Sequence, residues 1–497
     1  MRTMAIAPPR GKALEELRFD NSCAALGDAF SERRTPAGIP GARLVAYSPE
    51  AGALIGLRAG EERRAEFAEL VSGNALLPGM EPVAGLYGGH QFGVWAGQLG
   101  DGRAILLGEV RTGDGPSTSS GQAWELQIKG GGITAFSRFA DGRAVVRSTI
   151  REFLASEAMH ALGVPTTRAL AMAAGDEPVL RERVERAATV IRMAPTFVRF
   201  GSFEIFHYRK QHADVKTLAD YVIDRFYPAC GTSADRYAHF FAAVVERTAA
   251  LMAHWQAVGF AHGVMNTDNF SILGLTLDYG PYGFVETYEP GFICNHTDES
   301  GRYAFDRQPT IGLWNCHALA EALSSLIDRG ALDAALAGYE SAYRAALLAL
   351  LRAKLGVLDA HDDDAELVVE LFALFEARRV DWTNFWRALS QSDTSARALL
   401  GDDESARGWF ARYARRVADD PRAEDARRGT MRAANPKYVL RNWVAQEAIT
   451  ACESGDDAVV RAVLDVVRAP FEEHPEHAAW THAAPAKYAG LSVSCSS

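Results

Sequence analysis

Residues 262–280, HGVMNTDNFSILGLTLDYG, decide how the rest of the chain is interpreted. His262 and Gly263 open a loop, and Asn269 follows after a short polar segment. The apolar run that begins at Phe270 predicts a short strand, and Asp278-Tyr279-Gly280 predicts a turn after it. Amide and carboxylate oxygens are ligands that hard divalent cations prefer. The stretch therefore predicts a hairpin that holds a metal ion and a nucleotide.

The order of these residues resembles a protein-kinase active site, in which a catalytic loop, a metal-binding Asn, a short strand and a metal-binding Asp follow one another. In the kinase motif the Asn comes five positions after the catalytic Asp. Counting back from Asn269 gives Val264, so the usual base is absent and Asp268 is the only carboxylate in the loop. This pattern indicates a pseudokinase, or a kinase fold with different phosphate chemistry.

Composition and charge limit the classes of protein to which this chain can belong. A chain of 497 residues is long enough for two or three domains, and 48% hydrophobic residues is ordinary for a globular protein. A formal net charge of −11 argues against nucleic acid and against an anionic membrane as partners. No apolar run approaches the ~20 residues that span a bilayer, and residues 1–12 lack the apolar region of a secretory signal. We expect a cytoplasmic protein, in a bacterial cytosol.

A glycine-rich segment lies ahead of the first long strand pattern. Gly97–Arg103, GQLGDGR, precedes the strand predicted at 104–110. Glycines allow backbone N–H groups to approach phosphate oxygens closely, although turns also require glycine. Arg103 beside Gly100 and Gly102 favours a phosphate site. His90, just upstream, is interpreted as a structural polar residue.

A lysine and a glutamate follow in the order of a kinase N-lobe. Residues 124–129 alternate as a strand and end at Lys129. Residues 147–162 carry apolar residues at helical spacing. Glu152 and Glu157 on that helix are both candidates to pair with Lys129, and Glu152 occupies the first half, where such a partner is expected. Arg192, in a strand within 188–206, and Arg199 have planar guanidinium groups that suit phosphate oxygens.

The fold class predicted from these patterns is α+β. We expect a protein-kinase-like bilobal fold, with a β-rich N-lobe, a helical C-lobe and an added helical C-terminal region. The predicted domains are an N-terminal segment at 1–80, a kinase-like N-lobe at 81–215, a C-lobe core with the catalytic and metal-binding loops at 216–330, and a helical extension with a cysteine-containing tail at 331–497.

Motifs along nearly the whole chain resemble the selenoprotein O family of protein-kinase-like protein adenylyltransferases. The motifs are YGGHQFGVWAGQLGDGR, IKGGG, SRFADGRAVVRSTIREFL, FVRFGSFE, HGVMNTDNFSI, LDYGPYGF, FICNHTDESGRYAF, NPKYVLRNW and the closing SCSS. The resemblance implies transfer of AMP from ATP to Ser, Thr or Tyr hydroxyls of proteins, with ATP bound in a flipped orientation and Mg²⁺ or Mn²⁺ assisting.

The resemblance also implies a role for each matching residue. Asp268 would accept the proton of the attacking hydroxyl, Asn269 and Asp278 would bind the metal, and Glu152 would pair with Lys129. The residues implied to bind ATP are Gly100, Gly102, Arg103, Lys129, Asp141, Gly142, Arg192, Arg199 and Asp278. A flipped nucleotide would account for Val264, because a different phosphate reacts and the usual base position is not needed.

Two mild departures from the family pattern are Gly131, where the family often has Ala, and Thr134-Ala135-Phe136, where it has Thr-Pro-Tyr. Residues 113–122 form a polar loop that looks longer than usual and would alter access of the acceptor. Among six cysteines with no C-x-x-C pair, most are expected to be reduced and buried. Cys495 occupies the place where eukaryotic members carry selenocysteine, so the resemblance suggests a redox link to Cys294.

Two other functions compete with AMP transfer at this point. A conventional protein kinase would transfer the γ-phosphate, and Val264 counts against it. A catalytically inactive nucleotide-binding scaffold would explain the missing base. Retention of Lys129, Glu152, Asp268 and both metal ligands counts against the scaffold, because a scaffold has no need of a metal site.

Overall fold

The computed structural model describes residues 11–112, 123–418, 420–488, 490–491 and 493. Within them the chain divides into two compact units, and each unit is assembled from separate stretches of sequence. The first unit contains the described residues up to Tyr87, then Leu99–Phe153 and Thr167–Phe197. The second contains Gly88–Gln98, Leu154–Thr166 and the described residues from Val198 onward.

The predicted α+β class is confirmed, because long helices accompany a large antiparallel sheet. The described strands are β1 Phe19–Asp20, β2 Ser31–Arg33, β3 Arg43–Tyr47, β4 Val83–Gly85, β5 Gly88–Gln91, β6 Val94–Gln98, β7 Ala104–Arg111, β8 Ala123–Lys129, β9 Ala144–Val145, β10 Arg168–Leu180, β11 Val184–Ala194, β12 Phe260–Ala261 and β13 Gly283–Phe284.

The described helices are α1 Pro49–Leu54, α2 Ala65–Val71, α3 Val146–Ala161, α4 Phe200–Tyr208, α5 His212–Phe226, α6 Arg236–Val258, α7 Gln308–Ala322, α8 Arg329–Ala337, α9 Tyr339–Leu355, α10 Asp364–Arg378, α11 Trp382–Gln391, α12 Asp393–Leu400, α13 Glu404–Ala418, α14 Glu424–Ala434, α15 Asn442–Glu453 and α16 Ala458–Arg468. None of them combines the length and the apolar character that a bilayer-spanning helix needs.

The first unit is built on one antiparallel sheet with the strand order β2-β4-β7-β8-β11-β10-β3, to which β1 and β9 add at β7 and β11. Its register places Ala104 opposite Lys129 and Gln127 opposite Arg192. Alternate side chains of β7, β8 and β11 enter a core with Phe67 and Leu70 of α2. The sheet therefore brings the glycine-rich segment, the lysine strand and the arginine strand side by side.

The second unit is mainly helical. One core of this unit is rich in aromatic side chains from α10, α11 and α13. Phe375 lies 4.6 Å from Phe385 between ring centroids, and Trp409 stacks on Tyr413 at 5.3 Å. Aromatic pairs at such distances stabilise a core beyond the area that they bury.

The strand expected after Asn269 is reduced to isolated bridges, one between Phe270 and Thr276 and one between Ser271 and Arg199, since Gly274 turns the chain at φ 70°. The strand predicted within 188–206 is confirmed as part of β11, which ends at Ala194 because Pro195 has no N–H to continue the ladder. Residues 212–258 form two helices, α5 and α6, and Pro228 lies between them. The four-domain division proposed from the sequence stays a prediction.

Candidate active site

Lys129, Glu152 and Arg192 form a buried charged cluster in the first unit. Lys129 Nζ lies 2.6 Å from Glu152 Oε2, and Arg192 Nη1 lies 2.8 Å from Glu152 Oε1. Arg192 also donates a hydrogen bond to Gln127 Oε1 across the β8–β11 pair. One carboxylate thus contacts two cationic groups, and ammonium and guanidinium groups are of the kind that bind phosphate oxygens.

The glycine-rich segment packs against the loop at 133–142. A Cβ atom at Gly100, where φ is +135°, would lie 2.4 Å from Phe136, and one at Gly102 would lie 2.9 Å from the Phe136 carbonyl oxygen. Thr134 Oγ1 donates to the Asp101 carbonyl oxygen at 2.7 Å. Glycine is therefore required at both positions by close packing, independently of any phosphate.

Arg103 follows this segment with its side chain half-buried. Its carbonyl oxygen accepts a hydrogen bond from the Gly130 N–H at 2.7 Å, which ties it to the end of β8. Across the described residues no carboxylate forms an ion pair with its guanidinium. The side chain is therefore available to an anionic ligand.

Asp141 and Gly142 occupy a tightly held turn. Arg181 binds both Asp141 carboxylate oxygens, at 2.7 and 3.0 Å, and its hydrogen bonds hold the pKa of Asp141 below the ordinary value. Gly142 has φ +70°, and a Cβ there would lie 2.2 Å from the Gly132 carbonyl. The Asp141 carboxylate is thus engaged by Arg181.

Asp268 lies in the second unit, in the 3-10 turn Thr267–Asn269, and is 9% exposed. Among the residues that the structure describes, its buried Oδ1 has no hydrogen-bond partner, while Arg199 Nη1 donates to the Asp268 carbonyl oxygen at 3.1 Å. Burial raises the pKa of Asp268 to about 7; the charge of Arg199 opposes this rise, and those of Asp278 and Glu204 add to it. A carboxylate with a pKa near neutrality is suited to accept a proton.

Asn269 and Asp278 present oxygen atoms of the kind that Mg²⁺ or Mn²⁺ binds. Asn269 Nδ2 donates to the Val264 carbonyl oxygen at 3.0 Å, which orients the amide and leaves Oδ1 for a ligand. Asp278 has φ +61°, and His262, whose Nε2 lies 2.8 Å from the Leu277 carbonyl oxygen, braces that turn. The described residues contain no cluster of three His, Cys, Asp or Glu side chains placed to hold a metal. The donor set nevertheless fits Mg²⁺, which commonly takes one or two protein oxygens together with phosphates and water.

Cys294 is buried, and its Sγ donates to the Pro281 carbonyl oxygen at 2.9 Å. Two residues further on, His296 Nδ1 lies 2.8 Å from the carbonyl oxygen of Val493. Cys495 and the loop at 113–122 fall outside the described residues, so the predictions for them stay predictions.

Two buried or ion-paired partners, Glu204 and Arg181, were not predicted from the sequence. Glu204 is fully buried, and its Oε1 lies 2.5 Å from His90 Nδ1. A signal was present, since Glu204 is the only acid in the apolar run FVRFGSFEIF, and an isolated buried carboxylate requires a partner. Arg181 had no comparable signal, because its contact with Asp141 joins residues that are distant in the sequence.

Comparison with known proteins agrees with these motifs. The sequence model described as "Protein adenylyltransferase SelO" matches residues 13–467. A protein of Myxococcus xanthus named "Protein nucleotidyltransferase YdiU" is 52% identical over 491 residues, covering 97% of this chain and 99% of its own. Relatives with the same name from Thioalkalivibrio sulfidiphilus and Azotobacter vinelandii are 50% and 47% identical, covering 97% and 98% of this chain and 99% and 100% of their own. On this match across almost its entire length, the chain belongs to the SelO family of protein adenylyltransferases, a family of nucleotidyltransferases.

Proposed function

We propose that this protein transfers AMP from ATP to Ser, Thr or Tyr hydroxyls of acceptor proteins, with ATP bound so that its α-phosphate faces the acceptor. The observation that carries the proposal is the pair of positions 264 and 268. Val264 supplies no carboxylate at the kinase base position, whereas Asp268 is a buried carboxylate with an unpartnered Oδ1 and a raised pKa. Family membership supports the same chemistry.

In the proposed step the acceptor hydroxyl oxygen attacks the α-phosphorus of ATP. A new O–P bond forms, the bond from the α-phosphorus to the bridging oxygen breaks, and pyrophosphate leaves. Asp268 accepts the hydroxyl proton. The products are an AMP-modified protein and pyrophosphate, so no oxidant or reductant takes part.

The remaining residues would hold the nucleotide. Lys129 and Arg192 both contact the Glu152 carboxylate, and these two cations together with Arg103 and Arg199 would place positive charge on the phosphate chain. The turn at Asp141 and Gly142 would contribute backbone groups. Asn269 and Asp278 would hold Mg²⁺ or Mn²⁺, which when bound neutralises charge on the phosphates. A cytoplasmic location is part of the same proposal.

The test is label transfer to a generic acceptor protein and to the enzyme itself, run in parallel with α-labelled and γ-labelled ATP. We expect protein-bound label from α-labelled ATP alone. Label from γ-labelled ATP alone would identify a conventional kinase and overturn the proposal. Absence of both labels from a protein that still binds ATP would indicate a nucleotide-binding scaffold.

A redox link between Cys294 and Cys495 is a second part of the proposal. The bond between His296 and the Val493 carbonyl oxygen supports it, because each residue is two positions from one of the cysteines. Mass spectrometry of the non-reduced, oxidised protein should find a peptide that joins both cysteines. Recovery of both thiols free after oxidation would contradict the link.

A further inference from the structure

The hairpin of β5 and β6 turns through Phe92 and Gly93 in an unfavourable conformation. Phe92 has φ +51° and Gly93 has φ +82°, which are the signs of a two-residue type I′ turn. Asn, Asp and Gly are favoured at the first of these positions, and a bulky residue with positive φ is strained. Strain of this kind persists only where the surroundings hold it, and it concentrates at functional sites.

The surroundings that hold Phe92 belong to the loop of the candidate base. The Phe92 N–H points at Asn266 Oδ1, 3.1 Å away, and at the Tyr303 hydroxyl, 2.9 Å away. The Tyr303 hydroxyl also donates to Asn266 Oδ1 at 2.7 Å, and the Phe92 and Tyr303 ring centroids are 5.1 Å apart. At the other end of β5, a Cβ atom on Gly89 would lie 2.9 Å from Asp268 Oδ1. The strained turn is thus fixed to the segment that carries Asp268.

The tip of this hairpin exposes apolar side chains. The Phe92 ring is 37% exposed, and Val94 is 70% exposed. Ala96, two positions after Val94 on the same face of β6, is exposed as well. In the described part of the chain β6 pairs with β5 alone, so it is an edge strand. An apolar edge strand beside a catalytic loop can bind an extended peptide.

A positive charge lies beside this apolar tip. A Cβ atom on Gly93 would be 2.9 Å from Arg302 Cζ, and the Arg302 guanidinium lies 4.8 Å from the Trp314 ring. No carboxylate within the described ranges forms an ion pair with Arg302. An acidic side chain on a bound segment would supply the missing counter-charge.

We propose that Phe92, Val94 and Arg302 form the surface that selects the acceptor, an inference that rests on the proposed AMP transfer. The occupant is an extended segment of the acceptor protein. An apolar side chain of that segment contacts Phe92 and Val94, an acidic side chain pairs with Arg302, and the hydroxyl between them faces Asp268.

The experiment uses the full-length enzyme, α-labelled ATP and a positional-scanning library of Ser-, Thr- and Tyr-centred peptides. Wild-type enzyme should prefer an apolar and an acidic residue at distinct positions flanking the hydroxyl. Phe92→Asn suits a positive φ and keeps the turn, yet it removes the ring, so it should reduce the apolar preference about fivefold or more. Val94→Thr should act in the same direction, and Arg302→Gln should remove the acidic preference alone.

Val369→Thr is the matched control, because Val369 is 66% exposed on α10 and lies outside the surface. It should leave both preferences at the wild-type value. Unchanged preferences in the Phe92, Val94 and Arg302 variants would overturn the inference. So would a wild-type enzyme that labels itself but shows no sequence preference in the library. An enzyme that labels neither itself nor any peptide would instead overturn the proposed function.

Discussion

Glu152 Oε2 lies 2.6 Å from Lys129 Nζ, and Glu152 Oε1 lies 2.8 Å from Arg192 Nη1, so each oxygen of this carboxylate contacts a different buried cation. Glu152→Gln keeps the shape of the side chain and removes the charge. Because both cations then lose the negative charge of Glu152, we expect a loss of about 3 kcal/mol in the free energy of unfolding and at least a tenfold rise in KM for ATP. Thermal melting and steady-state kinetics measure the two effects.

Glu157→Gln serves as the comparison for that variant, since Glu157 is a second buried glutamate on the same helix. It should leave KM for ATP unchanged. An equal rise in KM for both variants would mean that the helix, and not the Glu152 carboxylate, is what the nucleotide requires.

Asp141 is expected to act through Arg181, because Arg181 already occupies both of its carboxylate oxygens. Asp141→Asn and Arg181→Met should each raise KM for ATP to a similar degree, by loosening the same turn. The double variant should resemble either single variant, since residues that act as one unit are not additive. A double variant whose effect is the product of the two would show that Asp141 contacts the nucleotide directly.

Asp278 combines a left-handed backbone with the expected metal role. Asn tolerates positive φ, so Asp278→Asn should keep the turn while it removes a charged metal ligand. We expect AMP transfer to fall at least a hundredfold and the binding of Mn²⁺, followed by electron paramagnetic resonance, to weaken. Full activity in this variant would refute the metal assignment. Any further loss of activity in Asp278→Ala would measure the strain of placing Ala in the left-handed conformation.

Lys354 offers a test of stability that is independent of catalysis. Burial lowers the pKa of Lys354 to about 7, and the Asn435 Oδ1 atom at 3.3 Å is a neutral partner. The unfolded chain holds this proton up to its ordinary pKa of 10.5, so between pH 7 and 10.5 it binds more protons than the folded chain. Stability from this group therefore rises with pH across that interval and is lost as the pH falls towards 7.

Lys354→Met should accordingly stabilise the protein most at pH 7, by at most about 5 kcal/mol, and progressively less as the pH approaches 10. Melting temperatures of both proteins at pH 7, 8.5 and 10 measure the trend. Lys216→Met, at a position whose side chain is 57% exposed, should show no such trend. A constant difference between wild-type and Lys354→Met at all three pH values would contradict the lowered pKa.

Several contacts follow patterns that the sequence displays. The helix predicted at 147–162 is observed as Val146–Ala161, and the strand predicted to end at Lys129 ends there. Lys129 and Glu152 lie on elements whose periodicity is clear, so their approach could be anticipated from the kinase-like order. The family match also agrees with the motifs quoted from the sequence.

Other contacts depend on packing between distant segments, which periodicity does not report. Gly100 and Gly102 are required by Phe136, although their pattern resembles a phosphate loop. The Arg181 contact with Asp141 and the His90 contact with Glu204 each join residues far apart in the chain. Tertiary structure determines these contacts, so the partner of each residue cannot be predicted from the residue types alone.

The close approach of Gly142 to Gly132 has an energetic consequence for the nucleotide. The Gly132 N–H donates to the Gly142 carbonyl oxygen at 3.1 Å, so this hydrogen bond joins the two ends of the loop 132–142. Chain entropy lost in closing a loop is lost once, at the moment of closure. Since this loop is already closed in the folded protein, nucleotide binding does not have to offset the entropy lost in ordering it.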